Sequence, residues 1–168
     1  PLVSTKDGRI RGVTLSFNGK EMHAYYGIPY AQPAVPAYRF QPSRAVKPWK
    51  HVLSARQMAS PCMQRLGEVR YPVHMKRLHN ASEDCLYLNI WTFVDLAERE
   101  LRPVIVLLQG IGFSCGSTAS FANDGSALAA LGEVVVVSVN YRLGVFGFLD
   151  ARHREAPGNV GLLDQVLD

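Results

Sequence analysis

Two almost wholly apolar runs, separated by a helical pattern, constrain the fold of this chain more than any other feature. The runs are residues 103–108 and 134–139, and both are dominated by valine, isoleucine and leucine. Continuous apolar runs of this length are typical of strands that a helix-covered parallel sheet buries on both faces. Between them, residues 124–131 carry a capping residue and an alanine-leucine run, with Gly132 just past their end. Because these signals bound a short helix, the order of elements predicts a β-α-β crossover.

A two-residue turn signal predicts a β-hairpin near the N-terminus. Residues 10–17 and 20–26 have the composition of strands, and Asn18 and Gly19 lie between them. Asparagine followed by glycine favours a tight hairpin because both turn positions need positive φ.

The remaining segments are less regular. Prolines at positions 29, 33, 36, 42 and 48 make residues 27–49 an extended, irregular stretch, and residues 86–93 alternate as a strand does. Residues 159–168 begin a helix with one apolar face. If residues 134–139 form an uncovered edge of the sheet, the isolated chain should fold poorly, because an exposed apolar edge promotes aggregation.

Composition and charge exclude several classes of protein. The chain has 168 residues, of which 48% are hydrophobic and 19% charged, as in a soluble globular protein. Its net charge of +4 is spread over loops without interleaved aromatic residues, so we expect no nucleic-acid partner. The apolar runs are too short to cross a bilayer. The histidines, at positions 23, 51, 74, 79 and 153, lack metal-ligand spacing, and we predict neither a metal nor a cofactor.

The cysteines suggest an oxidising compartment. Cys62 and Cys85 enclose a polar loop of 22 residues without a clear helix or strand pattern. A disulfide that closed such a loop would contribute on the order of 3 kcal/mol. The loop also holds a glycosylation sequon that begins at Asn80, and the combination favours secretion. Cys115 would then be a free thiol or pair with a residue outside this chain.

An ordered set of motifs resembles the type-B carboxylesterases, a family that includes cholinesterases, juvenile-hormone esterases and the adhesion protein neuroligin. The resemblance covers essentially the whole chain, and residues 152–165 are particularly similar to cholinesterases. The motifs are Gly-Ile-Pro-Tyr-Ala-Gln-Pro from Gly27, then Arg39-Phe40, Trp49, Cys62, Ser-Glu-Asp-Cys-Leu-Tyr-Leu-Asn-Ile-Trp from Ser82, residues 110–113, Asn-Tyr-Arg-Leu-Gly-Val-Phe-Gly-Phe-Leu from Asn140, and Gly-Asn-Val-Gly-Leu-Leu-Asp-Gln from Gly158.

The resemblance implies an α/β fold, the N-terminal part of an α/β-hydrolase with a mixed, mostly parallel sheet and an N-terminal β-hairpin. Residues 1–168 would be an incomplete portion of one domain. The resemblance also implies a disulfide between Cys62 and Cys85 and an ion pair between Arg39 and Glu83, in which a planar fork meets a carboxylate. The alternative for that pair is two unconnected surface charges.

Ester hydrolysis by this fold needs a serine nucleophile, an acid and a histidine, in that chain order. In the family the serine lies on the strand that follows residues 134–139 and the next helix. We therefore expect no catalytic residue in this chain, and we expect the chain alone to be inactive. The complete protein would act on a small-molecule carboxylic ester, whereas a catalytically silent relative would bind a protein partner instead.

The oxyanion loop departs from the family pattern. The family usually reads His-Gly-Gly-Gly-Phe, and this chain reads Gln-Gly-Ile-Gly-Phe, so the loop comprises Gly110, Ile111 and Gly112. The family's two donor amides would map to Ile111 and Gly112. A β-branched residue resists positive φ and adds bulk beside the acyl carbon. Two alternatives follow. Either the isoleucine removes one of the two oxyanion-donor amides, or Ile111 still presents its N–H and its side chain only reshapes the pocket.

Residues 112–116 read Gly-Phe-Ser-Cys-Gly and so match the Gly-x-Ser-x-Gly pattern of a nucleophile elbow, which would make Ser114 an alternative nucleophile. A nucleophile elbow turns directly from a strand into a helix. Here Gly110 and Ile111 intervene after the strand, and polar residues precede the next helix, so we interpret the match at Ser114 as accidental.

Substrate and location follow from the same resemblance. Cholinesterases place a tryptophan between the first two cysteines, where its face binds the quaternary ammonium. The corresponding residue here is Met75, which makes specificity for choline esters doubtful. We expect a secreted or extracellular protein, with any membrane anchor in a segment outside this chain.

Overall fold

The computed structural model describes residues 1–64, 80–94 and 101–167. The strands are β1 (Leu2–Ser4), β2 (Arg9–Arg11), β3 (Val13–Phe17), β4 (Lys20–Pro29), β5 (Val52–Ser54), β6 (Tyr87–Phe93), β7 (Val104–Leu108), β8 (Val135–Val139), β9 (Asp150–His153) and β10 (Ala156–Pro157). The helices are α1 (Ser126–Gly132), α2 (Gly144–Phe148) and α3 (Val160–Leu167), with 3-10 turns at Pro36–Tyr38 and Phe121–Asn123.

A five-stranded mixed sheet in the order β3-β4-β6-β8-β7 forms the centre of the fold. The pairs β3/β4, β4/β6 and β6/β8 are antiparallel, and β7/β8 is parallel. The expectation of a mostly parallel sheet is therefore wrong for the described residues. Parallel neighbours need a long crossover between them, and the segment between β7 and β8, which contains α1, provides it for that pair.

The exposed edge lies on a different strand from the one the sequence predicts. β8 is a central strand between β6 and β7, and β7 is the edge. Val104, Val106 and Leu108 of β7 are each at least 50% exposed. The reason is topological: the chain leaves β6, passes over one strand position to form β7, and β8 later fills the gap.

The N-terminal strands are divided where a close approach demands a glycine. The sequence predicts one strand over residues 10–17, but Ile10 belongs to β2 of a small sheet with order β1-β2-β5, and β3 begins at Val13. A Cβ on Gly12 would lie 2.2 Å from the carbonyl oxygen of Ala24. The chain therefore bends at Gly12 and passes from one sheet to the next.

The turn between β3 and β4 has the backbone angles that the sequence demands. Asn18 and Gly19 adopt φ of 49° and 79°. β4 then continues to Pro29, three residues into the stretch predicted to be irregular, with an irregularity in its pairing with β6 between Tyr25 and Ile28.

Helix α1 packs on the sheet around a tryptophan. Trp91 is fully buried in a cluster with residues from β4, β8 and α1, namely Met22, Ala24, Ala129, Ala130 and Val136. The Asp124 carboxylate accepts a hydrogen bond of 2.8 Å from the Ser126 N–H at the start of the helix. Gly132 is the last helical residue, and Glu133 rather than Gly132 takes the left-handed conformation.

A buried ion pair fixes α3 against the loop after β8. Arg142 and Asp164 are at most 3% exposed. The Arg142 guanidinium donates to both carboxylate oxygens of Asp164, at 2.8 Å from Nε and 2.7 Å from Nη2, and its Nη1 donates to the carbonyl of Gln41 at 2.8 Å. The Arg142 backbone N–H also donates to Asp164, at 3.1 Å.

Replacing Asp164 with alanine in the complete protein should lower the free energy of unfolding by about 3–5 kcal/mol, because it leaves a buried guanidinium without its counter-charge. Urea denaturation measures the change, and Glu155→Ala, at an exposed carboxylate, is the matched control. Equal denaturation midpoints for the two variants would contradict the expectation.

Candidate functional site

The loop that follows β7 forms a compact turn bonded to itself. The Ile111 N–H donates to the Cys115 carbonyl at 2.8 Å, and the Ser114 N–H donates to the Ile111 carbonyl at 3.1 Å. Gly110 and Gly112 take φ of 147° and 54°. The three residues of the predicted oxyanion loop, Gly110, Ile111 and Gly112, thus lie in one tight turn at the carboxyl end of a parallel strand.

The two glycines remove the conformational conflict at Ile111. Ile111 is not among the residues with positive φ, because its neighbours Gly110 and Gly112 carry the positive angles. Phe113 also takes a positive φ, 56°. The Ile111 side chain is 59% exposed and projects from the turn without a strained backbone.

The two amides that the family pattern assigns as oxyanion donors differ in their availability. The Ile111 N–H is already bonded to the Cys115 carbonyl, which removes it from the donors in this arrangement. Within the described part of the chain, the Gly112 N–H has no hydrogen-bond partner. A Cβ built on Gly112 would meet nothing within 4 Å, so the space beside it is open. Chemically, the Gly112 amide can donate to an oxyanion from this loop.

A buried polar network supports the start of the loop. Gln109, in the position where the family has histidine, is only 6% exposed, and its Nε2 donates to the Asn140 Oδ1 at 3.2 Å. The same oxygen accepts the Thr118 N–H at 3.0 Å, and Asn140 Nδ2 donates to the Ser60 carbonyl at 3.2 Å. Asn140 directly follows β8, so one side chain joins the loops after β7 and β8.

Sequence reasoning missed two residues at this site, Asn140 and Gln64. The Gln64 side chain bonds to both backbone groups of Gly116 at the end of the loop. Gln64 is two residues from Cys62, and Asn140 comes directly after an apolar strand. Neither position carries a residue type that distinguishes it from an ordinary loop polar residue in a single sequence.

Ser114 does not lie in a nucleophile elbow. Its hydroxyl is exposed and donates to the Gly112 carbonyl at 3.0 Å. The residues after it remain in the turn, and the next helix, α1, begins only at Ser126. The Gly-x-Ser-x-Gly match therefore lacks the strand-to-helix geometry that exposes a reactive serine.

The cysteines are placed as follows. Cys62 and Cys85 form a disulfide with a Cα–Cα distance of 5.0 Å, and both are buried. Cys115 is 4% exposed, and its Sγ lies 3.8 Å from the Ile111 carbonyl oxygen. Asn80, the first residue of the sequon, is exposed. The rest of the segment between Cys62 and Asn80, including Met75, lies largely outside the described residues.

Arg39 and Glu83 form a two-pronged ion pair next to the disulfide. The Arg39 Nε donates to one Glu83 oxygen at 2.6 Å, and Nη2 donates to the other. The hydrogen bonds to Glu83 stabilise the charged guanidinium and raise the pKa of Arg39 above its ordinary value. The guanidinium also lies over the ring of Phe146, 5.8 Å from its centroid. The pair therefore connects the proline-rich segment, the residues beside Cys85 and helix α2.

Neither a metal-binding cluster nor a membrane-spanning helix is found among the described residues. Among residues 1–64, 80–94 and 101–167, no group of three histidine, cysteine or acidic side chains is placed to hold a metal ion. His74 and His79 lie outside those ranges. No helix in the described part of the chain is long and apolar enough to span a membrane.

The chain is similar to one family of known proteins over its whole length. The model of the carboxylesterase family matches residues 1–168. The chain is 42% identical to acetylcholinesterase 4 of Caenorhabditis briggsae and 37% identical to cholinesterase of Mus musculus, in each case over 99% of the chain and 28% of the relative. It is 39% identical to the medium-chain fatty acyl-CoA hydrolase precursor of Anas platyrhynchos, over 99% of the chain and 31% of the relative. The chain thus spans less than a third of these relatives.

The geometry of the Arg39–Glu83 pair generates a prediction for the complete protein. Arg39→Leu should lower the melting temperature, because the half-buried Glu83 carboxylate loses its partner, whereas Arg39→Lys should lower it less. Differential scanning fluorimetry measures both, with Arg154→Leu, at an exposed arginine, as the control. A melting temperature of Arg39→Leu equal to that of the control would show that the two charges are energetically independent.

Proposed function

We propose, since this chain belongs to the carboxylesterase family, that it forms the N-terminal part of a secreted carboxylic ester hydrolase. The observation that carries the proposal is the family match over residues 1–168. The nucleophilic serine would lie beyond this chain, on the strand that in the family follows residues 134–139 and the next helix, and the acid and the histidine would follow it in chain order. On this proposal the 168 residues alone do not hydrolyse esters.

In the complete enzyme the reaction would be acyl transfer through a serine ester. The serine oxygen attacks the ester carbonyl carbon as the histidine takes its proton, and the carbonyl oxygen becomes an oxyanion. Collapse of this intermediate releases the alcohol, and water then attacks the acyl-serine to release the acid. The contribution of this chain is the Gly112 N–H, which would donate to the oxyanion from the turn after β7.

The proposed domain also explains the exposed face of the sheet. Val104, Val106 and Leu108 of β7 would pair with and pack against further strands and helices of the same domain. The relatives are more than three times as long as this chain, so they contain enough additional residues to do so. The disulfide and the Arg39–Glu83 pair would hold the N-terminal part of that domain together.

The substrate class we propose is a small carboxylic ester. The relatives named above include two cholinesterases and a fatty acyl-CoA hydrolase. We do not extend choline specificity to this chain, because Met75 stands where the cholinesterases have an aromatic face for the quaternary ammonium. Uncharged esters with a short or medium acyl chain are the appropriate first substrates.

Secretion is proposed from the disulfide and from the exposed position of Asn80. Expression of the complete protein in animal cells should place it in the medium with an N-glycan on Asn80. Mass spectrometry of the peptide that contains Asn80, with and without deglycosylation, measures occupancy. Ser82→Thr, which preserves the sequon, should remain glycosylated, whereas Asn80→Gln should not. An unmodified Asn80 together with retention in the cytosol would contradict secretion.

The Ile111 amide generates a kinetic prediction. The complete protein should hydrolyse p-nitrophenyl butyrate slowly, and Ile111→Gly should raise kcat by about 10²–10³-fold, because a glycine peptide can rotate its N–H from Cys115 to the oxyanion. Ile111→Val keeps the β-branch and is the matched control, for which we expect no gain.

The kinetics of the wild-type protein and of Ile111→Gly test both the role of the Ile111 amide and the hydrolase proposal itself. Fast turnover that Ile111→Gly leaves unchanged would show that the loop already supplies sufficient donors. No turnover in either variant, together with no labelling by a fluorophosphonate probe, would contradict the hydrolase proposal and point instead to a binding role.

A further inference from the structure

The amide side chain of Gln64 binds both backbone polar groups of Gly116. Gln64 Oε1 accepts the Gly116 N–H at 2.9 Å, and Nε2 donates to the Gly116 carbonyl at 2.8 Å. The second proton of Nε2 points to the carbonyl of Cys62, at 3.0 Å. Both donors and one acceptor of this amide are therefore occupied, and all three bonds are to backbone atoms.

Gly116 also packs closely against the start of the turn. It is buried, and a Cβ at this position would lie 2.6 Å from the Gln109 Oε1 and 2.8 Å from the Gly110 Cα. The end of the turn is thus pressed against its beginning. The two hydrogen bonds from Gln64 hold Gly116 in this position.

The anchor of Gln64 is itself rigid. Gln64 is two residues from Cys62, which is 2% exposed and bonded to the fully buried Cys85. The hydrogen bond from Nε2 to the Cys62 carbonyl fixes the side chain on its own backbone. The Gln64 side chain therefore links Gly116 directly to the backbone beside the disulfide.

A continuous path of covalent and hydrogen bonds leads from this contact to the candidate oxyanion donor. Gly116 follows Cys115, whose carbonyl accepts the Ile111 N–H at 2.8 Å. The Ile111 carbonyl, which shares a peptide plane with the Gly112 N–H, accepts the Ser114 N–H at 3.1 Å, and that bond fixes the plane. A displacement of Gly116 would therefore change the direction in which the Gly112 N–H points.

We propose that Gln64 is a positioning residue that orients the oxyanion loop by holding Gly116 between the disulfide and Gln109. The inference rests on the proposed ester hydrolase function and adds a residue role to it. Glutamine is the residue that fits, because it combines a donor and an acceptor at this reach. Asparagine is one methylene shorter, and an ionised glutamate cannot donate to the Gly116 carbonyl.

The proposal predicts a specific kinetic signature in the complete enzyme. An interaction that stabilises the transition state but not the bound ester lowers kcat and leaves KM unchanged when it is lost. Gln64→Leu should lower kcat by about 10–10²-fold with little change in KM, because small misplacements of catalytic groups cost rates of this order. Gln57→Leu, at an exposed glutamine, should leave both constants unchanged.

A second variant separates positioning from general stabilisation. In Gln64→Glu, the ionised carboxylate accepts the Gly116 N–H but repels the Gly116 carbonyl, whereas the protonated acid has an O–H to donate to it. The kcat of Gln64→Glu relative to the wild-type enzyme should therefore rise as the pH falls through the range in which the carboxyl protonates. A purely structural role predicts a flat or falling ratio.

The experiment is steady-state hydrolysis of p-nitrophenyl butyrate by the complete wild-type protein, Gln64→Leu, Gln64→Glu and Gln57→Leu across pH. Hydrogen exchange of the peptide that spans Gly116 accompanies it, and we expect faster exchange in Gln64→Leu but not in Gln57→Leu. An unchanged kcat in Gln64→Leu, or a pH-independent ratio for Gln64→Glu, in an active enzyme would overturn the positioning role alone. A wild-type protein that neither hydrolyses esters nor reacts with a fluorophosphonate would overturn the proposed function and the positioning role with it.

Discussion

The buried ion pair between Arg142 and Asp164 is the contact on which the described structure most depends. It joins the loop after β8 to helix α3, and the third hydrogen bond of the guanidinium reaches the carbonyl of Gln41, 101 residues away in the chain. Removing two charges from water is costly, and only close, multiply bonded geometry repays the cost. Here both carboxylate oxygens of Asp164, the three guanidinium nitrogens of Arg142 and its backbone N–H have partners, so the pair defines one relative position for three segments.

The same loop after β8 also determines where the candidate site forms. Asn140 lies two residues before Arg142 and collects hydrogen bonds from Gln109 and Thr118. Because β7 and β8 are parallel, their carboxyl ends meet at one edge of the sheet, which is where sites form in α/β folds. The Arg142–Asp164 ion pair fixes the loop after β8 against α3. The hydrogen bonds of Asn140, in the same loop, then hold the residues on either side of the turn at residues 110–116.

That turn shows how a departure from a family motif is accommodated. A β-branched residue replaces a glycine at Ile111, yet the backbone is unstrained because the positive angles fall on Gly110 and Gly112. The consequence is chemical rather than conformational, since the Ile111 N–H bonds within the turn and leaves Gly112 as the open amide. Besides its own hydrogen bonds, the turn is held by Gln109 at its start and Gln64 at its end.

The local features of this protein follow directly from its amino-acid sequence. The strands β6, β7 and β8, the turn at Asn18 and Gly19 and the helix α1 all lie within two residues of their predicted limits, because apolar periodicity, turn angles and capping depend on near neighbours. Three features arise only when the chain folds: the strand that forms the edge of the sheet, the division of the first strand at Gly12, and the contact between Gln64 and Gly116. These features depend on partners far apart in the chain, 52 residues in the case of Gln64 and Gly116, and no local pattern specifies which distant groups will meet.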